Sequence, residues 1–337
     1  GKDVLKEVLL IGWEHNLHID FEVVEADPTP SVPTLVVSVL GNELSPTDLQ
    51  IVTAAIAKAD GNIERIRRLA RTPVWCYEFE VQGGDPDVMK SLLIDTAAEN
   101  PRFDVAVQRL GLSRRAQRLV LLDVDSTLIQ NEMIDLLADQ AGQGEECARI
   151  TEAAMNGELD FEQSLLERVR LLAGQPEEII DRAYEQLELT TGAQTFVATL
   201  RRLGFTVAIV SGGFTHFTDR LKRELDLDYA HANRLQVRRG VLTGELDGPV
   251  VDRAAKAALL HTLAQQESIN VDQVVAIGDG ANDLDMLNAA GLGVAFCAKT
   301  VVREAADASL TVPHLDAVLF LLGVRREELE EHDLAVT

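Results

Sequence analysis

Four short apolar runs constrain this chain most: "LVLLDVD", "GFTVAIVSGG", "QVVAIGDG" and "GLGVAF", spread over residues 119 to 296 and each followed by helical periodicity. Apolar strands that alternate with helices must be covered on both faces. The pattern therefore predicts an α/β fold with a Rossmann-like, doubly wound parallel sheet. In open sheets of this kind ligands bind beyond the carboxyl ends of the strands. Polar clusters fall at such ends: "DVDST" (123 to 127), "SGG" (211 to 213) and "GDGAND" (278 to 283), joined by Lys256 in "VDRAAKAALL". Between the first and second strands, residues of about 130 to 190 carry helical periodicity, too long for a loop and long enough for a small helical cap over a site.

Ahead of this region the order changes. "SVPTLVVSVL" reads as a buried strand, and Ser45 with Pro46 caps a helix after it. Two strand-like runs split at Thr72-Pro73, a helix capped near Asp85 and the run "RFDVAVQRL" complete a β-α-β-β-α-β order over about residues 33 to 110. That is the ferredoxin-like α+β arrangement. Residues 1 to 27 read as the last helix and last strand of a second such unit, since a lone helix and strand cannot bury their apolar faces. The basic, turn-forming "GLSRRAQR" (111 to 118) marks the boundary. The expected organisation is a partial unit at 1–30, a full unit at 31–112, the α/β domain at 118–323 with its cap near 130–190, and a tail at 324–337.

Composition narrows the partners. A net charge of -24 repels nucleic acid phosphates and anionic lipids, and no apolar stretch approaches the roughly 18 residues of a membrane span. Cys76, Cys147 and Cys297 have neither disulfide nor zinc spacing and read as packing thiols, and the first residues lack a secretory signal, so a cytoplasmic protein is expected. The same charge demands a locally positive pocket for any anionic substrate.

Asp123 and Asp125 are two apart, so strand geometry, if it persists, turns both to one side. One can serve as nucleophile and the other as acid and base. With Asp279 and Asp283 nearby, so many carboxylates repel, and a hard divalent cation, most simply Mg²⁺, relieves them. Mg²⁺ and Lys256 then supply the missing positive charge. Ser211, Gly212 and Gly213 end a strand where backbone N–H groups can cradle a phosphate. Metal, carboxylate nucleophile, lysine and amide nest together fit phosphoryl transfer.

"DVDSTL", "SGGF", Lys256 and "GDGANDLDML" resemble the four motifs of the haloacid dehalogenase superfamily over about residues 118 to 323, and within it most resemble the phosphoserine phosphatases. The resemblance implies that Asp123 is phosphorylated during turnover, that Asp125 protonates the departing serine oxygen and then activates water, and that Ser211 and Lys256 hold the phosphoryl group. It further implies Mg²⁺ held by Asp123, the carbonyl of Asp125 and Asp279, with Asp283 and Asn282 supporting from nearby, Asn282 among the substrate contacts. In the helical insertion Glu132 and Arg168 match positions that bind the substrate ammonium and carboxylate, and Met155 and Phe161 match apolar positions that close over it. The implied reaction releases L-serine from O-phospho-L-serine, the last step of serine biosynthesis. Related small phosphate esters such as phosphothreonine or phosphohomoserine are the rival substrates, and a non-catalytic amino-acid sensor is the rival of another class. The N-terminal pattern is similar to the ACT domain, which implies a homodimer and feedback by L-serine, with Asn42 and Glu43 placed where such domains often meet a ligand.

Overall fold

The structure is a computed structural model that describes residues 34–333 apart from 112, 113, 115 and 157. The partial unit expected at 1–30 and the last four residues of the tail lie outside the described residues. Eleven strands are present among those described: β1 (Leu35–Gly41), β2 (Asn62–Ala70), β3 (Trp75–Gln82), β4 (Asp104–Arg109), β5 (Leu119–Asp123), β6 (Thr206–Phe214), β7 (Tyr229–Arg238), β8 (Val241–Asp247), β9 (Val274–Gly278), β10 (Leu292–Phe296) and β11 (Ala308–Leu310).

β2, β3, β1 and β4 lie side by side in that order, all antiparallel, under helices Pro46–Lys58 and Pro86–Glu99. Local chemistry starts both helices. Ser45 and Asp48 cap the first reciprocally, Asp48 N–H donating to Ser45 Oγ at 3.2 Å and Ser45 N–H to Asp48 Oδ2 at 2.9 Å. Asp85 accepts from the N–H groups of Asp87 and Val88 to start the second. Val37, Val39, Phe79 and Val81 from the strands meet Val52, Ile56, Met89 and Leu93 from the helices in one apolar core.

The second half is built on the parallel strands β11, β10, β9, β5, β6 and β7, in that order. Burial on both faces explains the unbroken apolar runs. In β5, Val120 and Leu122 enter one core while Leu119 and Leu121 enter the other. Helices Met133–Gln140, Gly144–Met155, Phe161–Arg170 and Ile179–Tyr184 occupy the long connection from β5 to β6. Among the described residues, no helix is long and apolar enough to cross a membrane. Cys76 and Cys147 are packed as expected, whereas Cys297 is exposed at the end of β10.

Two features differ from the sequence reading. β8 runs antiparallel to β7 through a two-residue turn, Arg239-Gly240, with both residues at positive φ. This hairpin carries charged residues between its apolar ones and so shows no apolar run. The two sheets are also one: β4, the edge of the first, pairs with β11, with Ala106 opposite Ala308. An open edge presents unpaired N–H and C=O groups, and the junction covers part of that edge. Asp104, buried on β4, reinforces it by accepting from Thr311 N–H at 2.7 Å and from the Thr311 hydroxyl at 2.8 Å.

Asp104→Ala strips Thr311 of both bonds, and the expected loss is about 1–3 kcal/mol of stability. Urea unfolding monitored by far-ultraviolet circular dichroism checks it, and an unchanged midpoint would show that the junction does not depend on this clamp.

Candidate active site

The carboxyl ends of β5, β6 and β9 open into a cleft of about 760 Å³, walled on the far side by the helices Gly144–Met155 and Phe161–Arg170. Asp123, Asp125, Glu132, Phe161, Arg168, Gly212, Asp279 and Asn282 all line it. Residues spread over 160 positions of sequence are therefore brought to one place by a sheet topology that sets β5 between β6 and β9.

Strand geometry stops at Asp123. A π-type turn, Val124–Leu128, follows, with Asp125 extended and Ser126 at φ 57°. The two acids still share the cleft, but the turn gives them different partners. Asp123 Oδ1 accepts from Lys256 Nζ at 2.8 Å and from Val124 N–H at 2.8 Å. Asp125 accepts from Met133 N–H at 2.7 Å through one oxygen and from the Ser211 hydroxyl at 2.6 Å through the other. Ser126, held in a conformation that costs a non-glycine residue energy, donates its hydroxyl to Glu132 at 2.8 Å.

Lys256 is fully buried and reaches both Asp123 and Asp283, the latter at 2.7 Å. Burial alone would strip its proton, but the two carboxylates outweigh burial and hold the ammonium charged. Asp123 is pushed well above the usual carboxylate range by burial and by the charge of Asp283, against the pull of Lys256. Burial and Asp283 also raise Asp279, to about 6. One ammonium does not neutralise this set.

Asp123, Asp279 and Asp283 offer carboxylate oxygens within 4.8 Å of one another. Hard oxygen donors gathered at this spacing fit a small divalent cation such as Mg²⁺. The sequence reading gave Asp283 a supporting place and Asp125 a carbonyl. Asp283 stands inside the cluster, with one oxygen on Lys256 and the other accepting from Gly280 N–H at 3.0 Å. The side chain of Asp125 is turned away toward Ser211 and Met133, outside the cluster.

Ser211 donates to Asp125 and accepts from Gly213 N–H at 2.6 Å, so its hydroxyl is tied into the acid's support. Gly213 must lack a side chain: a Cβ would press on Met133 Sδ, Ser211 Oγ and Asp125 Oδ2. Over Gly212 lies the ring of Phe161, 3.0 Å from where a Cβ would stand. Arg168 is half-buried and donates Nε–H to Ser164 O at 3.3 Å. Glu132 is pushed up to about 7, first by burial and then by the charge of Asp125. Met155 ends the helix Gly144–Met155, and its side chain lies outside the described residues.

Three contributors escaped the sequence reading. Met133 acts through its backbone N–H, which no side-chain pattern reveals. Thr127, whose hydroxyl donates to Asp279 at 3.2 Å, stood within the quoted "DVDST" and could have been weighed as a hydroxyl beside acids. Asn233 lies in the unread hairpin and bonds the Gly212 carbonyl at 2.8 Å.

Two family models match the chain: haloacid dehalogenase-like hydrolase over residues 120–288 and ACT domain over residues 33–108. A phosphoserine phosphatase of Streptomyces coelicolor is 50% identical over 324 residues, covering 95% of this chain and 79% of that protein. Among solved structures, an unliganded probable phosphoserine phosphatase from Vibrio cholerae superposes with a TM-score of 0.66 at 39% identity, covering 86% of each chain. A phospho-aspartyl intermediate analogue of a phosphoserine phosphatase superposes with a TM-score of 0.58 at 45% identity, covering 61% of this chain and 98% of that one. The chain belongs to the haloacid dehalogenase-like hydrolases, among their phosphoserine phosphatases, and carries an ACT domain ahead of its catalytic sheet.

Proposed function

We propose that the protein hydrolyses O-phospho-L-serine to L-serine and phosphate through an aspartyl phosphate on Asp123, with Mg²⁺ as cofactor. The observation that carries this reading is the division between the paired acids: Asp123 beside a buried ammonium, Asp125 beside a hydroxyl and a backbone N–H. A carboxylate oxygen of Asp123 attacks phosphorus, and the bond from phosphorus to the serine oxygen breaks. Asp125, raised by burial against the bonds from Ser211 and Met133, holds a proton to give to that oxygen. It then takes a proton from the water that attacks phosphorus, releasing phosphate and restoring Asp123. Lys256, Ser211 and the Gly212 N–H hold the phosphoryl oxygens. Asp123, the backbone carbonyl of Asp125 and Asp279 would hold the Mg²⁺, with Asp283 supporting from within the carboxylate cluster, and the ion would offset charge on the phosphoryl group. The relative solved as a phospho-aspartyl intermediate analogue supports the covalent route.

Glu132 and Arg168 line the same cleft with opposite charge, which suits the ammonium and carboxylate of an amino acid. Phe161 and Met155 would close over it, and the room beside Phe161 would separate serine from threonine. The cytoplasmic setting inferred from the thiols is part of the same reading.

The ACT domain extends the reading to regulation by L-serine. Asn42 and Glu43 border a cleft of about 520 Å³ with Arg102 and Asp104, and Thr311–Pro313 of the catalytic half close its other side. An amino acid placed there would touch both halves.

Phosphate release from O-phospho-L-serine with Mg²⁺ should exceed release from phosphothreonine and phosphohomoserine at equal concentration, and EDTA should abolish it. Asp123→Asn should lower kcat by roughly 10⁴-fold or more, the scale at which nucleophiles matter, while circular dichroism stays unchanged. An active, folded variant would remove the covalent route. Glu132 must be ionised to pair with an ammonium, and its carboxyl sits at about 7. KM for phosphoserine should therefore rise as pH falls from 8 through 7 to 6, and Glu132→Gln should flatten that dependence at a KM already high. For the regulatory reading, added L-serine should inhibit the wild type, and Glu43→Ala or Asn42→Ala should weaken that inhibition without changing kcat. Inhibition that is unchanged in both variants would move the effector elsewhere.

A further inference from the structure

The hairpin that the sequence reading passed over carries one fully engaged side chain. Asn233 on β7 is buried, and both ends of its carboxamide are used. Its Nδ2 donates to the Gly212 carbonyl at 2.8 Å, and its Oδ1 accepts from Val251 N–H at 2.8 Å. The pairing of β6 with β7 explains its place. Register holds through Val210 opposite His231 and resumes at Phe214 opposite Asn233, so three residues on β6 stand against one on β7. The unmatched residues are Ser211, Gly212 and Gly213. Such an insertion leaves its peptides without ladder partners and free to turn unless something else holds them.

A peptide bond is planar, and in the trans form its C=O and the next N–H point in opposite directions. Pinning the Gly212 carbonyl therefore fixes the Gly213 N–H, which donates to Ser211 Oγ at 2.6 Å. The Ser211 hydroxyl in turn donates to Asp125 Oδ2 at 2.6 Å. The route from Asn233 to Asp125 is one rigid plane and three hydrogen bonds. The other end of the carboxamide reaches the residue just before Asp252, which caps the helix that carries Lys256 by accepting from Ala255 N–H at 2.8 Å.

We infer that Asn233 is a positioning residue for the phosphoryl-transfer step: it sets the Gly212-Gly213 peptide that aims Ser211 at Asp125, and ties it to the segment leading into Lys256. The inference rests on the reading of Asp125 as the acid and base. A side chain that only filled space in the core would need neither a donor nor an acceptor here.

Asn233→Ala frees the peptide to turn, and the expected result is a kcat lower by about 10- to 100-fold with KM for phosphoserine changed far less, as misalignment of a reacting group produces. Asn233→Asp keeps the shape and serves if the alanine variant folds poorly. Ionised, the new carboxylate cannot donate to the Gly212 carbonyl. Protonated, it can, and still accepts from Val251 N–H. Its kcat relative to the wild type at the same pH should therefore recover as pH is lowered from 8 to 5.5. Assays with p-nitrophenyl phosphate, which needs the phosphoryl site but not the amino-acid pocket, run beside those with phosphoserine. If phosphoserine is not a substrate, the substrate reading fails and p-nitrophenyl phosphate still decides the role of Asn233. A folded Asn233→Ala protein with kcat within about twofold of the wild type, or an Asn233→Asp protein whose relative kcat does not move with pH, would overturn the inference.

Discussion

The buried ammonium of Lys256 is the charge on which the catalytic half depends. Taking an ammonium out of water is costly unless carboxylates meet it, and Asp123 and Asp283 do so at 2.8 and 2.7 Å. Those two acids come from the ends of β5 and of the turn after β9, so the ion pair can form only when the sheet order is right. The same contact orients Asp123 and offsets part of the rise that burial and Asp283 impose on its carboxyl. In a protein of net charge -24 it places a fixed positive charge among the acids that an entering anion must meet. The excess of carboxylate around Asp279 is the complement: it cannot be relieved by Lys256 alone, and it is what a divalent cation would satisfy.

Much of this was legible because the chemistry and the fold share one signal. The unbroken apolar runs of β5, β6 and β9 reveal strands buried on both faces, and the polar clusters that end them fall where such sheets bind ligands. Capping residues Ser45 and Asp85 gave the helices of the first half, whose strand order follows from the β-α-β-β-α-β pattern. What could not be read has physical reasons. The turn after Asp123 changes the direction of Asp125, and backbone angles there leave no mark in composition. Met133 contributes an N–H that every residue but proline owns. β7 and β8 mix charge with apolar residues at the end of the sheet, where β8 is the outermost strand, so Asn233 lay in a stretch without a strand signature.

Glycine marks the places where the site leaves no room. At Gly213 a Cβ would meet the acid, the serine and Met133 together, and at Gly278 it would run into the carboxylate of Asp283. Both sit at strand ends, where the backbone itself forms part of the pocket wall. The close approach that lets amides face a phosphate is therefore the same constraint that forbids a side chain. Catalytic geometry and backbone packing are set by one requirement.

Edge pairing of β4 with β11 makes the ACT domain and the catalytic sheet neighbours in a single hydrogen-bonded layer rather than beads on a linker. β11 borders β10, and β10 borders β9, which leads directly into Asp279. Asp104 sits at the junction, on the wall of the cleft that Asn42 and Glu43 border. A ligand that altered the bond from Asp104 to Thr311 would act on the strand next to the catalytic core without crossing solvent. Coupling over such a distance needs a rigid element with two arrangements. The junction, with Ala106 and Ala308 in register, supplies the rigid part.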